Sequence, residues 1–200
     1  MIKNEISIDG RLCFLYQDEA ATHLLIQPID EHDLELLDQE IEAIKKMSDK
    51  PFSLVAFMIK DWNQELTPWA APAVFGKVPF GSGAEKTLEF ITSRLLPEVQ
   101  ENIPHLILGG YSLAGLFALW SGYQTDKFDG VVAASPSVWF PQWIEYATDN
   151  KPLADSRSAI VLELTVSLEE DAISDLCCQL PIPADYDGVG SRGTKFVFYL

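Results

Sequence analysis

Basic side chains are scarce in this sequence. Its 200 residues include 14 lysines and arginines against 30 aspartates and glutamates, which gives a formal net charge of −16. This charge repels phosphate backbones and anionic lipid within the screening length. Nucleic acid and membrane surfaces are therefore not expected as partners.

Long apolar runs are missing as well. No uninterrupted apolar segment is long enough to span a bilayer, and the amino terminus, MIKNEISIDG, lacks the apolar centre of a signal peptide. These features predict a cytoplasmic protein.

Cysteine is rare, and the three residues Cys13, Cys177 and Cys178 have the spacing of neither a zinc site nor a disulfide framework. Reduced thiols are expected. Because no cluster of His, Cys and Asp has the spacing of metal ligands, we expect no metal and no organic cofactor.

The length predicts one domain over residues 1–200, large enough for one hydrophobic core. Its first part contains three strand-like runs, which predict an antiparallel meander over residues 5–8, 11–16 and 22–29. Residues 32–47 then carry apolar side chains at helical spacing. Residues 172–200 mix proline, glycine and cysteine and form an atypical tail.

The middle of the chain alternates strands and helices, which predicts an α/β fold with a mostly parallel sheet flanked by helices. An S-x-x-E capping box at Ser82 and Glu85 predicts a helix over residues 82–99. The other expected elements are strands at 52–59, 105–110, 128–135, 158–166 and 194–200 and a helix at 113–123.

The segment HLILGGYSLAGLFALW, residues 105–120, places one serine between a buried strand and a helix. A nucleophile elbow needs this arrangement, with small residues where strand and helix approach each other. The pattern is G-x-S-x-A, with Ala114 in the last small position. It predicts Ser112 as a nucleophile and the backbone N–H of Leu113 as one oxyanion donor.

Three segments resemble the α/β-hydrolase esterases, in particular those related to the enterochelin esterase and esterase D branch. These segments are GGYSLAGLFALW, KFDGVVAASPSVWFPQW and KDWNQELTPWAAPAVFG, and the resemblance covers about residues 50–145. It implies that Ser112 is acylated by a small-molecule ester and then released by water.

The resemblance also implies where the rest of the site lies. The second oxyanion donor would follow the third core strand, at Lys60, Asp61 or Trp62, and we favour the backbones of Asp61 and Trp62. Loops at the carboxyl ends of parallel strands bind ligands. Substrate contacts are accordingly expected at Tyr111, Ser135, Ser137 and Trp139.

The acid of the triad would follow strand 158–166, where Glu170 and Asp171 are the candidates and a solvated acidic run is the alternative. The histidine is missing from its expected place, because His23, His32 and His105 all precede Ser112. His105 begins the strand that ends at Ser112, so it lies about 20 Å away at the opposite edge of the sheet.

Three explanations remain open, in this order. The chain is an incomplete or altered hydrolase whose last strand and helix are lacking; or it is a degenerate hydrolase that binds ligands or partners; or a different base, or a histidine of another subunit, completes the site. Lack of the last elements would expose a sheet edge and predicts poor solubility or a homo-oligomer.

The sequence thus predicts a serine esterase that acts through Ser112. The alternative is a non-catalytic binding protein on the same fold, because a fold alone does not determine activity.

Overall fold

The computed structural model describes residues 1–100, 102–153 and 161–163. Its strands form one sheet in the order β1-β2-β4-β3-β5-β6-β7, parallel from β4 onward. The predicted α/β fold with a mostly parallel sheet is confirmed. The strands are β1 Ile2–Ile8, β2 Arg11–Gln17, β3 His23–Ile29, β4 Phe52–Met58, β5 His105–Tyr111, β6 Gly130–Ala134 and β7 Val161–Glu163.

Helices connect the parallel strands. In the part of the chain that the structure describes, none combines the length and apolar character needed to cross a membrane. The helices are α1 Glu31–Met47, α2 Trp62–Glu65, α3 Ala84–Phe90, α4 Leu96–Val99, α5 Leu113–Gln124 and α6 Trp143–Asp149, and a π-helical turn, Ile91–Leu95, joins α3 to α4.

The predicted meander is wrong in its third strand. β1 and β2 do form an antiparallel hairpin, but β2 then pairs with β4. β3 is parallel to both of its neighbours, β4 and β5. The reason is that β3 leads into helix α1, and a strand followed by a crossover helix returns parallel to itself.

Helix α1 begins with a capping box. The Asp30 side chain accepts hydrogen bonds from the N–H groups of His32 and Asp33, and the Asp33 carboxylate accepts one from the N–H of Asp30. The apolar stripe of the helix then buries Leu37, Ile41 and Ile44 against the sheet. The predicted helix over 32–47 is therefore confirmed.

The helix predicted over 82–99 exists, but its predicted cap is wrong. The helix begins at Ala84, and no side chain caps it. The N–H groups of Gly83 and Ala84 instead donate to the carbonyl groups of Gln64 and Thr67. Because the preceding loop satisfies these donors, the serine of the S-x-x-E pattern is not needed for capping.

Both faces of the sheet are covered, as the apolar run 52–59 predicts. Along β4, Val55 and Phe57 belong to the core under α3 and α5, while Leu54 and Ala56 belong to the core under α1. All of these side chains are at most 1% exposed. Such two-sided burial is typical of a parallel strand between helices.

The end of the chain is described only in part. Strand β7 falls within the predicted strand 158–166 and extends the sheet beside β6. The predicted strand 194–200, the atypical tail 172–200 and both candidate acids, Glu170 and Asp171, lie outside the described residues.

Candidate active site

Ser112 lies where strand β5 ends and helix α5 begins, as the sequence predicts. Its backbone has φ 55° and ψ −118°, close to the first central residue of a type II′ turn, where glycine is favoured. Holding a serine in this conformation costs on the order of 1–3 kcal/mol. A strained strand-to-helix turn of this kind is characteristic of a nucleophile elbow.

The hydroxyl group of Ser112 does not cap helix α5. Serine is a common N-cap residue, yet this side chain makes no hydrogen bond to the first turn. Its Oγ lies 3.1 Å from the Oγ of Ser137 instead. The oxygen is therefore not bound by the helix backbone, unlike that of an ordinary N-cap serine.

The small residues of the G-x-S-x-A pattern are explained by close contact. A Cβ on Gly110 would lie 2.5 Å from the Cβ of Ala114 and 2.7 Å from its carbonyl carbon. A Cβ on Gly115 would lie 3.1 Å from the carbonyl oxygen of Gly110. Strand and helix can meet here only because Gly110 has no side chain, whereas the methyl group of Ala114 fits and is fully buried.

The last residue of β6 and the turn that follows it fix the backbone of Ser112 on both sides. The N–H of Ser112 donates to the carbonyl oxygen of Ala134 at 3.0 Å, and its carbonyl oxygen accepts from the N–H of Ser137, also at 3.0 Å. The same oxygen accepts the first helical hydrogen bond, from Leu116. These bonds compensate for the strain and hold the elbow in one conformation.

Leu113 is well placed as an oxyanion donor. It is the first residue of the 12-residue helix α5, so its N–H has no acceptor within the helix. The positive end of the helix dipole lies at the same point. A negative oxygen that develops beside Ser112 would meet both.

The sequence-based choice of the second donor depends on the order of the strands. It took the run 52–59 as the third core strand, but that run is β4, and β3 lies between it and β5. The pair Ile26–Leu108 ends the β3–β5 register, and continuing it by four residues brings Asp30 level with Ser112. On the β3 side of β5, the loop between β3 and α1 is therefore the one that lies beside the elbow.

Two backbone N–H groups after β4 already donate hydrogen bonds to a side chain. The N–H groups of Lys60 and Asp61 both donate to Oε1 of Glu65, at 2.9 and 3.0 Å. Of the two favoured donors, Asp61 is thus occupied, while Trp62 begins helix α2 and has no intrahelical acceptor. Glu31 has the corresponding first position in α1 and is not among the candidates from the sequence.

Glu65 holds this loop to the edge of the sheet. Its Oε2 lies 2.7 Å from Nη2 of Arg11, whose guanidinium stacks 4.8 Å above the ring of Phe90. Burial would raise the pKa of the Glu65 carboxyl, but the hydrogen bonds from Asp61 and Lys60 and the charge of Arg11 outweigh it and lower the pKa. The carboxylate therefore stays charged and bound.

Several solved structures with the same fold are those of serine or siderophore hydrolases. An IroE-like serine hydrolase from Shewanella oneidensis matches with a TM-score of 0.61 and 16% identity over 74% of this chain and 55% of its own. The siderophore hydrolase EstA from Aspergillus nidulans matches with 0.54 and 18% over 88% and 74%. For the enterobactin and salmochelin hydrolase IroE the values are 0.54 and 19% over 76% and 69%.

The chain has the α/β-hydrolase fold. It spans about 55% of the length of the Shewanella protein. No protein-family model matches the sequence, and no curated protein does. At these identities the likeness concerns the fold.

Within the α/β-hydrolase fold, the long loop after β4 reaches across to the segment after β6. Nε1 of Trp69 donates to the carbonyl oxygen of Pro141 at 2.9 Å. The Trp69 ring also lies 5.6 Å from that of Phe140 and 5.2 Å from that of Tyr146. Both segments leave the edge of the sheet at which Ser112 lies, because β4, β5 and β6 are parallel.

The tip of this loop is apolar and exposed. Phe75 is 71% exposed and packs edge-on against Trp139, with ring centroids 5.0 Å apart. Val74 and Val78 are also exposed. Exposed aromatic surface at this edge of the sheet is suited to contact with an apolar group.

The predicted substrate contacts differ in their accessibility. Tyr111 is 59% exposed, and Trp139 is half-buried. Ser135 has a positive φ of 41° in the turn that follows β6. Ser137 is 1% exposed, so its side chain is not part of an open surface and contacts Ser112 instead.

The histidines lie as the sequence predicts. His105 pairs with His23 at the amino ends of β5 and β3, the edge opposite Ser112, and their rings stack with centroids 4.9 Å apart. His32 is exposed at the start of α1, on the elbow side of the sheet. Among the described residues, no group of three or more His, Cys, Asp or Glu could hold a metal ion.

The stacked histidines predict a loss of stability in acid. Burial, followed by the charges of His105 and Lys50, lowers the pKa of His23 below its ordinary value. In the unfolded chain His23 takes up a proton near pH 6.5, so the unfolded state binds more protons just below that pH. The free energy of unfolding should therefore fall between pH 7.5 and 5.5, and fall less in His23→Asn. Urea unfolding at both pH values tests this, with His32→Asn, at an exposed histidine outside the stack, as the control.

Proposed function

We propose that the protein is a serine hydrolase that cleaves carboxylic esters, with Ser112 as the nucleophile. The observation that carries the proposal is the conformation of Ser112, which is strained at the strand-to-helix turn while its hydroxyl group caps nothing. Strain without a structural use is typical of functional residues. The fold shared with several serine and siderophore hydrolases supports the same conclusion.

The reaction would proceed in two steps. In the first, Oγ of Ser112 forms a bond to the ester carbonyl carbon and passes its proton to a general base, and the alcohol leaves with a proton. The carbonyl oxygen carries the negative charge, which the N–H of Leu113 and a second donor would stabilise. In the second step, water attacks the acyl group, releases the carboxylic acid and restores the hydroxyl group.

For the second donor we propose the first residue of a helix at this edge, Glu31 or Trp62. Glu31 is favoured by register, because its loop lies beside the elbow along the sheet. Trp62 remains the candidate from the sequence. Each N–H is directed out of its helix start and is unpaired within that helix.

The general base is not supplied by the side chain that Ser112 contacts. Within residues 1–100, 102–153 and 161–163, that side chain is Ser137, whose hydroxyl group is no base at neutral pH. The site would be completed by Asp171 or Glu170 as the acid together with a base from beyond the described residues or from another subunit.

The substrate would be a small ester with an apolar or aromatic group. Tyr111 and Trp139, with Phe75 beside Trp139, present aromatic surface at the edge of the sheet where Ser112 lies. The solved structures with this fold include siderophore hydrolases, so siderophores belong among the substrates to be tested. The net charge of −16 disfavours anionic polymers.

A second function is a binding protein that has lost turnover. It is favoured by one observation, namely that all three histidines of the chain precede Ser112. Loss of a triad member typically lowers the rate about 10⁴- to 10⁶-fold.

Labelling of the native protein separates the two functions. The protein is incubated with a fluorophosphonate probe and with p-nitrophenyl esters of increasing acyl length, then digested, and the adduct is located by mass spectrometry. We expect an adduct on Ser112 and hydrolysis above the buffer rate. An adduct on another serine would refute the assignment of the nucleophile, and a folded protein without any adduct would favour the binding function.

A further inference from the structure

Ser137 has an unusual environment for a polar side chain. It lies in the turn after β6 and is 1% exposed, yet its Oγ is 3.1 Å from the Oγ of Ser112. A buried hydroxyl group needs a hydrogen-bond partner, and the nucleophile serves as that partner. The two serines are 25 residues apart in sequence and belong to different strand ends.

The backbone of Ser137 leaves its side chain little freedom. Its N–H donates to the carbonyl oxygen of Ser112, and its own carbonyl oxygen accepts from the N–H of Phe140. In the same turn, the N–H of Val138 donates to the carbonyl oxygen of Pro136. The hydroxyl group of Ser137 is thus held at a fixed place relative to the backbone of Ser112.

We propose that Ser137 is a positioning residue for the nucleophile, which sets the rotamer of Ser112 and donates a hydrogen bond to its Oγ as that oxygen loses its proton. The inference rests on the proposed function of Ser112 and adds a residue to it. The sequence predicts Ser137 as a substrate contact, whereas the structure shows its buried hydroxyl group against Ser112.

The chemistry follows from what a hydroxyl group can donate. In the resting state either serine can be the donor of the bond between them. Once the proton of Ser112 moves to a base, its Oγ becomes negative and accepts only, so Ser137 becomes the donor. Hydrogen bonds to a charged oxygen are stronger than those to a neutral one, and the bond therefore favours deprotonation of Ser112.

The first test measures the rate at which a fluorophosphonate probe labels Ser112. Ser137→Ala removes the hydroxyl group and is expected to slow labelling about tenfold or more, because a hydrogen bond to a charged oxygen is lost. The Michaelis constant for a p-nitrophenyl ester should stay within about twofold, since Ser137 does not touch substrate. An unchanged labelling rate would overturn the proposal.

Ser121→Ala is the matched control for this comparison. Ser121 is also a fully buried serine, but its Oγ donates to the carbonyl oxygen of Phe117 within helix α5. Its loss changes packing and one hydrogen bond without touching the elbow. Thermal unfolding of both variants shows whether they fold to a similar extent, and labelling should be slowed only in Ser137→Ala.

A second test needs no enzymatic activity. In a Ser112→Cys background, the pH dependence of alkylation by iodoacetamide reports how easily the introduced thiol loses its proton. Cys13 is buried, which raises the pKa of its thiol to about 11, and Cys177 and Cys178 are replaced by serine beforehand. Mass spectrometry of the peptide that contains position 112 gives the rate.

Adding Ser137→Ala to that background should move the midpoint of the alkylation profile upward by about one pH unit, because the thiolate loses its donor. Adding Ser121→Ala should leave the midpoint in place. A midpoint that Ser137→Ala does not move would overturn the proposal. If the native protein is not labelled at all, the proposed esterase function fails, while the alkylation profile still decides the role of Ser137.

Discussion

Replacing Ser112 with glycine is expected to abolish ester hydrolysis and fluorophosphonate labelling while leaving a protein more stable than Ser112→Ala. Both variants lose the nucleophile, so hydrolysis should fall by about 10⁴-fold or to the buffer rate. They differ in the backbone, because glycine adopts φ 55° and ψ −118° without a steric penalty and alanine does not. We expect Ser112→Gly to exceed Ser112→Ala by about 1 kcal/mol in the free energy of unfolding, after the greater chain entropy of glycine is subtracted.

Urea unfolding measures this difference, and both variants lack the Oγ, so the lost hydrogen bond to Ser137 cancels in the comparison. Equal stabilities would mean that the turn is not strained in solution. Labelling that survives in either variant would show that another residue reacts with the probe. The two readouts are thus independent tests of the conformation and the chemistry.

Gly110→Ala is expected to have the largest effect on stability. The added methyl group would lie 2.5 Å from the Cβ of Ala114, 2.7 Å from its carbonyl carbon and 2.8 Å from its carbonyl oxygen, and two of these three atoms are backbone of helix α5. Because a helix backbone cannot move aside like a flexible side chain, α5 and β5 must separate. We expect a loss of about 3 kcal/mol in the free energy of unfolding, at the upper end for an overpacked core.

Gly122→Ala is the control for this change, since Gly122 lies in helix α5, the helix that a methyl group on Gly110 would press against. A Cβ there would meet Cγ2 of Val131 at 3.7 Å, an ordinary contact. In a helix interior alanine is favoured over glycine by about 1 kcal/mol, so Gly122→Ala should be neutral or stabilising. Denaturant unfolding that finds Gly110→Ala as stable as the native protein would contradict the close approach of strand and helix.

Local sequence patterns predicted the strand, turn and helix around Ser112 correctly. The strand, the glycines and the helix around Ser112 all lie in the segment 105–120. The close approach that requires small residues there joins positions only a few residues apart, Gly110 and Ala114. The burial of β4 on both faces could be predicted for the same reason, because its apolar run can be recognised without knowing which strands lie beside it.

Long-range pairing was not visible in the sequence. Whether β3 pairs with β2 or with β5 depends on where residues 105–111 lie, and no pattern within residues 22–29 records it. The sequence-based pairing therefore placed the candidate second oxyanion donors in the loop after β4. It also hid the position of the loop between β3 and α1 beside the elbow.

Tertiary hydrogen bonds also overrode local signals. The S-x-x-E pattern at Ser82 did not cap its helix, because carbonyl groups of the loop 61–67 bind the first N–H groups. The contact between Ser112 and Ser137 joins two strand ends and has no counterpart in local sequence. The sequence predicted both serines as site residues, but only the fold shows that their side chains contact each other.

The strain at Ser112 also bears on whether natural selection still maintains the site. A chain that no longer used this hydroxyl group would gain stability from exchange to glycine, and some serine and glycine codons differ by a single base. Drift would therefore be expected to remove the serine once the chemistry was lost. Under the proposed function, a serine rather than a glycine at φ 55° is the residue expected while the hydroxyl group is in use.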